Sequence, residues 1–141
     1  DFDDADMPDP QDPGTFNAAK LNWEKLPIPH HAKMFNYYQE LIRLRKAGPI
    51  LNSQIATCCA IPIGENQGIQ LKRETMKGSL FVLMNFSTAG ISVELEGTGA
   101  NLLLDSTLAT WGGESRQPLS LKSKNIVLPP ESIIVIAYES I

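Results

Sequence analysis

The chain has 141 residues, of which 43% are apolar, and a formal net charge of −4 at pH 7. This size fits one domain, or one domain with an appendage, and the apolar fraction is enough for a buried core. No stretch approaches the roughly 18 uninterrupted apolar residues that a membrane span needs. No basic segment followed by an apolar one opens the chain, so we expect that a secretion signal is absent or already removed.

The charge is unevenly distributed along the sequence. Residues 1–16 contain six aspartates and no basic residue, whereas residues 17–141 contain ten acidic and twelve basic residues. The larger part is therefore close to neutral, and its basic residues are scattered. Nucleic-acid binding requires clustered Lys and Arg, so no nucleic acid is expected as a partner.

Residues 1–28 have the composition of a loop. A proline disfavours the helical conformation of the residue before it, and five prolines lie in or next to this segment: Pro8, Pro10, Pro13, Pro27 and Pro29. A short helical turn is predicted around Phe16–Lys20, because Pro13 and Thr15 can start one.

The acidic opening "DFDDADMPDPQD" has the alternating aspartates of some calcium loops. An EF-hand loop needs a glycine at its sharp bend and a bidentate glutamate at its last position. Asp6 and Asp12 occupy these two positions instead. The interpretation that we favour is a solvated acidic loop, with no metal ligand assigned.

One long helix is predicted between Pro29 and Gly48. Pro29 suits a first helical position, Gly48 ends the helix, and Pro49 prevents it from continuing. Apolar residues recur at three- and four-residue steps and form one stripe, which consists of Met34, Tyr37, Tyr38, Leu41, Ile42 and Leu44.

After Ile50 the apolar pattern changes to a period of two, which indicates strands. Turn signals such as "GENQG" separate short strands at about ten-residue spacing, which is typical of an antiparallel β-sandwich. The continuously apolar "SLFVLMNF" predicts a central strand that is buried on both faces. The predicted strands cover residues 55–61, 68–75, 79–86, 90–96, 101–106, 124–128 and 132–138.

Cys58 and Cys59 are adjacent in the first predicted strand. Neighbouring strand residues point to opposite faces, so a disulfide between them would be strained. We therefore predict two buried thiols in a reducing compartment, which favours a cytoplasmic location.

The sequence contains few signals of catalysis. A nucleophile elbow, a phosphate-binding glycine loop and zinc-type spacing are all lacking, so no cofactor is expected. His30 and His31 are adjacent at the helix start and therefore cannot chelate one metal ion together. The carboxylates of the β region form no recognisable acid/base pair.

Trp111 is the one aromatic residue that suggests a binding site. It lies in the loop "TLATWGGESRQP" beside Gly112 and Gly113. A tryptophan on a loop can stack on a sugar ring, which makes a carbohydrate contact conceivable. The alternative, which we favour, is that Trp111 folds back and covers the open end of the sandwich.

The segment "YYQELIRLRKAGPIL" resembles the last helix of the (β/α)₈ barrel in the α-amylase superfamily, glycoside hydrolase family 13. The residues that carry this match are Leu41, Ile42, Leu44, Arg45, Lys46, Pro49 and Leu51. "LFVLMNFS", "WGGES" and "IVLPPESIIVI" are similar to strands and loops of the all-β domain that follows the barrel in this family. The resemblance implies a terminal loop and last barrel helix over residues 1–51, and a C-terminal β-sandwich over residues 52–141.

The opening loop resembles one group within this family, the maltooligosyltrehalose trehalohydrolases. The match lies in "PDPQDPGTFNAAKLNWEK", through Asp9, Pro10, Gln11, Asp12, Pro13, Thr15, Phe16, Lys20, Leu21 and Trp23. The resemblance implies a parent enzyme that cleaves the α-1,4 bond beside a terminal trehalose. It further implies that Asp9, Gln11 and Asp12 bind substrate hydroxyls, although these residues can equally serve only to brace the loop.

The resemblance also implies where the catalytic residues and partners are found. The nucleophilic Asp, the acid/base Glu and the third Asp of the family follow earlier barrel strands, so no catalytic residue is assigned to this chain and its own activity is not expected. The expected partners are the upstream barrel, an α-glucan or maltooligosaccharide, and a second copy through an uncovered helix face. A branching enzyme, an α-amylase and a stand-alone glucan-binding β-module remain as alternatives.

Overall fold

The computed structural model describes residues 8–48, 50, 53–54, 56–97 and 99–139. The acidic residues 1–7, Pro49, Leu51 and the expected domain boundary between residues 51 and 52 lie outside the described residues. Two helices precede the strands: α1 is Pro13–Ala18 and α2 is Pro29–Ala47, with a 3₁₀ turn at Trp23–Lys25 between them. No helix in the described part is long and apolar enough to cross a membrane.

Seven strands follow α2 in the described part of the chain. They are β1 Thr57–Ile63, β2 Gly68–Thr75, β3 Gly78–Asn85, β4 Ile91–Glu94, β5 Asn101–Asp105, β6 Asn125–Leu128 and β7 Ser132–Glu139. Each lies within two residues of a predicted strand at both ends. The strands predicted from the apolar period of two are therefore confirmed.

Helix α2 begins and ends as its sequence predicts. Pro29 is its first residue, and the N–H of Gly48 donates to the carbonyl oxygen of Leu44 (3.0 Å) at the end. The short helix α1 starts earlier than predicted, because Asp12 caps it by accepting a hydrogen bond from the N–H of Gly14 (3.0 Å). It ends at Ala18 and does not continue to Lys20.

The strands form two antiparallel sheets. Five strands make the larger sheet in the order β1-β2-β3-β7-β5, and β4 pairs with β6 in the smaller one. Strand β3 is thus central, as its continuous apolar sequence predicts. The described part of the chain is mainly β, with one long helix ahead of the strands, in agreement with the predicted sandwich.

The larger sheet is covered on both faces by different layers. Phe81 and Leu83 of β3 belong to the core cluster that joins this sheet to β4 and β6. Leu80, which precedes Phe81 and therefore points to the opposite face of the strand, belongs to a second cluster that includes residues of α2. The order of layers is therefore helix, five-stranded sheet and two-stranded sheet, and this explains why β3 carries no polar face.

The buried side chain of Asn85 fixes the end of β3. Its amide nitrogen donates to the carbonyl oxygens of Ala89 and Pro129 (both 2.8 Å). Its amide oxygen accepts from the N–H (2.9 Å) and the hydroxyl (3.0 Å) of Ser87. Because Asn85 is 2% exposed, water cannot replace these bonds.

The prediction of buried cysteines is wrong. Both Cys58 and Cys59 are free and exposed. They lie in β1, which is one of the two edge strands of the larger sheet and, among the described strands, pairs with β2 alone. Neither α2 nor the short two-stranded sheet extends far enough to cover this edge, so β1 is exposed along all but its last residue.

We expect Asn85→Ala to lower the free energy of unfolding by about 3 kcal/mol, since it leaves several buried polar groups without partners. Urea unfolding followed by circular dichroism measures this effect. Asn101→Ala at an exposed position is the matched control and should change stability by no more than about 0.5 kcal/mol. Equal effects of the two substitutions would show that Asn85 does not hold the turn.

Candidate functional site

The loop before α1 presents the three predicted substrate-binding side chains. The carboxylate of Asp9 accepts from the N–H of Gln11 (2.9 Å), and the carboxylate of Asp12 caps α1. All three side chains are exposed. The two aspartates thus brace the loop with one carboxylate oxygen each, and carboxylates have further acceptor capacity for a ligand hydroxyl.

Aromatic and aliphatic side chains are exposed on the same segment. Phe16 is 65% exposed, Leu21 75% and Trp23 66%. The sequence analysis used Phe16 and Trp23 only as matching positions and assigned them no role. Their exposure is a tertiary property, since no local pattern distinguishes an uncovered aromatic residue from a buried one.

The apolar stripe of α2 divides into two halves. Tyr37, Leu41 and Leu44 pack against the larger sheet. The other half, which we call the outer stripe, consists of residues spaced four apart that are all more than half exposed: Met34, Tyr38 and Ile42. A helix with a wide apolar face normally buries it, so the outer stripe is a surface without a partner in the described residues.

The loop that carries Trp111 is held rigidly to the end of β5. The buried carboxylate of Asp105 accepts from the N–H (2.9 Å) and hydroxyl (2.6 Å) of Thr107 and from the N–H of Leu119 (2.9 Å). At Gly113 a Cβ atom would lie only 2.0 Å from the carbonyl oxygen of Thr107. Only glycine fits there, so the loop passes close to β5 before it turns back.

Trp111 packs against the helix. Its ring lies 5.7 Å from the ring of Tyr37, centroid to centroid, and it is half-buried in the cluster between α2 and the larger sheet. The exposed part of the ring is all that remains for a sugar to contact. Its role in carbohydrate binding stays a prediction.

Trp111 and the loop carboxylates do not form one hydrogen-bonded site. Asp9, Gln11 and Asp12 share a single loop ahead of α1, whereas Trp111 ends the 3₁₀ turn Ala109–Trp111 after β5. No hydrogen bond joins the two groups among the residues that the structure describes. Any common ligand would therefore have to bridge them from outside.

The exposed ion pairs do not provide an acid/base pair. A hydrogen bond from Arg43 lowers the pKa of the Glu40 carboxyl, and one from Lys124 lowers the pKa of Glu94. Both carboxyls are charged at neutral pH, whereas a general acid needs a raised pKa.

The described part of the chain contains no group of three or more His, Cys, Asp or Glu residues that can hold a metal ion. The rings of His30 and His31 lie 4.0 Å apart and tilted. Desolvation, followed by the nearby His30 and Lys25, lowers the pKa of His31. This pair is therefore a surface feature of the start of α2.

Comparison with known proteins gives relatives of one kind. No family model matches the chain. It is 30% identical over 117 residues to the malto-oligosyltrehalose trehalohydrolase of Rhizobium sp. (strain M-11), which covers 83% of this chain and 19% of that enzyme. The enzyme of the same name from Brevibacterium helvolum is 34% identical over 103 residues, covering 73% of this chain and 17% of the enzyme. The chain thus spans about a fifth of the length of these relatives.

Solved structures share the fold. The α-amylase from H. orenii superimposes with a TM-score of 0.60 at 20% identity, covering 92% of this chain and 25% of that chain. Bacillus licheniformis trehalose-6-phosphate hydrolase gives 0.59 at 22% identity, covering 84% and 20%. At this identity the structures establish the fold alone.

Fold and relatives together show that the chain belongs to the α-amylase family, glycoside hydrolase family 13, and corresponds to the C-terminal part of such an enzyme. Its resemblance to the maltooligosyltrehalose trehalohydrolases within that family, predicted from the opening loop, is confirmed.

We expect Trp111→Ala to lower the free energy of unfolding by about 2 kcal/mol, because it opens a cavity between α2 and the sheet. Trp23→Ala removes the other tryptophan of the chain at an exposed position and should change stability by no more than about 0.5 kcal/mol. Thermal and urea unfolding of both variants measure the difference. A larger loss for Trp23→Ala would contradict the packing of Trp111 on the helix.

Proposed function

We propose that this chain is part of an enzyme that hydrolyses the α-1,4 bond adjacent to the terminal trehalose of maltooligosyltrehalose. The observation that carries the proposal is the match to relatives named for this activity, with 30% identity over 117 residues. The opening loop supports the same assignment, since it holds the residues that resemble this group rather than other α-amylase relatives.

The two halves of the α2 stripe support a division of the chain into parts of two domains. Residues 1–51 form the terminal loop and last helix of the parent's (β/α)₈ barrel, and residues 52–141 form its C-terminal β domain. The inner half of the stripe holds the β domain, and the outer stripe of Met34, Tyr38 and Ile42 docks on the barrel. Helix α2 is then shared by both domains and fixes their relative position.

The loop contributes to substrate binding at the carboxyl end of the barrel, where active sites of this fold are built. The exposed side chains of Asp9, Gln11 and Asp12 hydrogen-bond hydroxyls of the trehalose unit. The two carboxylates that perform retaining hydrolysis in this family belong to the upstream barrel. The β domain stabilises the barrel and carries no catalytic residue, and we place the parent in the cytoplasm, where the free thiols of Cys58 and Cys59 stay reduced.

Two other functions are distinguished by specific features. A branching enzyme or an α-amylase would share the fold, which is also that of the α-amylase from H. orenii. A stand-alone glucan-binding module would depend on the exposed part of the Trp111 ring. The substrate specificity of the relatives favours the trehalose-releasing enzyme over both.

The full-length protein that carries this sequence tests the proposed reaction. Incubated with maltooligosyltrehalose, it should release free trehalose, which chromatography with mass detection identifies. Gln11→Ala should raise KM about fivefold with little change in kcat, since one hydrogen bond to the substrate is lost. Gln117→Ala, an exposed glutamine of the β domain, is the matched control. New α-1,6 branches, or only short maltose-type products, would refute the assignment.

The outer stripe leaves an apolar surface of α2 uncovered. The 141-residue chain by itself should self-associate at high concentration, because this apolar surface is uncovered. Ile42→Glu should abolish that association, and Gln39→Glu adds the same charge to an exposed position on α2 as a control. In the full-length protein, Ile42→Glu should lower the melting temperature by several degrees. Sedimentation and thermal unfolding test both points, and a fully stable Ile42→Glu enzyme would contradict docking through the stripe.

A further inference from the structure

A groove lies between the two sheets at the edge that β1 forms. Its volume is about 500 Å³, and its lining comes from the inner face of β1 and β2, from β4 and from the segment before β6. It exists because a two-stranded sheet faces a five-stranded one, so the inner face of the larger sheet near β1 is not covered. The trehalose-binding loop and Trp111 take no part in it.

The floor of the groove is apolar and its walls are polar. Ile61 and Ile63 of β1 point into it, and Ile61 remains 48% exposed. The polar lining residues around this floor are Gln70, Ser92, Glu94, Glu96 and Lys124. Glu94 pairs with Lys124 (2.6 Å), and Glu96 pairs with Lys72 (2.9 Å), which is outside the lining. The lining holds two carboxylates and one ammonium group, so the groove does not attract a phosphate or a polyanion.

Strand β4 adds backbone groups to one wall. The N–H of Leu95 donates to the carbonyl oxygen of Lys124 (2.7 Å), on the side of β6. Alternate residues of an antiparallel strand direct their N–H and C=O groups to opposite sides. The backbone groups of Ser92 and Glu94 therefore point away from β6, toward the open edge of β4, and both residues line the groove.

A protein strand is a poor occupant of this edge. Natural proteins protect sheet edges by keeping them short and charged, and β4 has only four residues with Glu94 at its end. A neutral chain of sugars matches the groove better. Its hydroxyls pair with carboxylates, amide and backbone groups, while its C–H surfaces lie on Ile61 and Ile63.

We propose that this groove is a second α-glucan-binding site, which holds a distant part of the polymer while the barrel acts on its end. This inference rests on the proposed α-glucan substrate. The groove has no aromatic platform in its lining, so binding there is weak and serves to retain long substrates. Short substrates gain nothing from it.

Hydrogen–deuterium exchange of the full-length protein tests the site directly. With the linear α-1,4 probe maltoheptaose, exchange of the amides in residues 91–97 should slow by about twofold or more, since Ser92 and Glu94 donate outward. The β-1,4 probe cellohexaose is the control ligand and should leave this segment unchanged. Equal protection by both sugars, or none by maltoheptaose, would overturn the proposal.

Two substitutions complete the test. Gln70→Ala and Ile61→Ser alter wall and floor at positions that are not fully buried, and each should abolish the protection of residues 91–97. Gln117→Ala should leave it intact. Both groove variants should still release trehalose from short maltooligosyltrehalose, so loss of the groove site is distinguished from failure of the proposed reaction. Protection that persists in both variants would assign the effect to another surface.

Discussion

Burial of the five-stranded sheet on both faces is the constraint on which the rest of the structure depends. Strands β3 and β7 carry apolar side chains on both sides, so two separate layers must cover them. Helix α2 supplies one layer and the β4–β6 pair supplies the other. Without the helix, Leu80, Leu104 and Val135 would face water, which means that the β domain requires α2 for its own stability.

In the proposed function, the same requirement makes α2 a link between two domains. Its inner residues are committed to the sheet through Tyr37 and Leu41, and Trp111 extends that contact from the β domain. The outer stripe is then left for the barrel that we propose for the parent enzyme. A helix that is bound on both sides holds two domains at a fixed distance, which suits an enzyme whose loop before α2 is proposed to contact the substrate.

The unequal size of the two sheets has a further consequence at the edge of the larger sheet that β1 forms. The layer that covers β3 and β7 reaches β1 only at its last residue, Ile63, so Cys58, Cys59 and Ile61 are accessible. The proposed second glucan site occupies this uncovered region. Stability and ligand binding are thereby assigned to different parts of one sheet, with the centre buried and the edge open.

Local patterns in the sequence determined the limits of α2, the seven strands and the continuous burial of β3, because proline, glycine and side-chain periodicity act over a few residues. The family was also accessible from the sequence, through the loop around Gln11 and the exit of α2. The exposure of Cys58 and the packing of Trp111 on Tyr37 were decided only by the tertiary structure. The pairing order of the strands sets which strand is at an edge, and contacts between residues more than 70 positions apart set which aromatic ring is covered. A sequence window of a few residues contains neither kind of information.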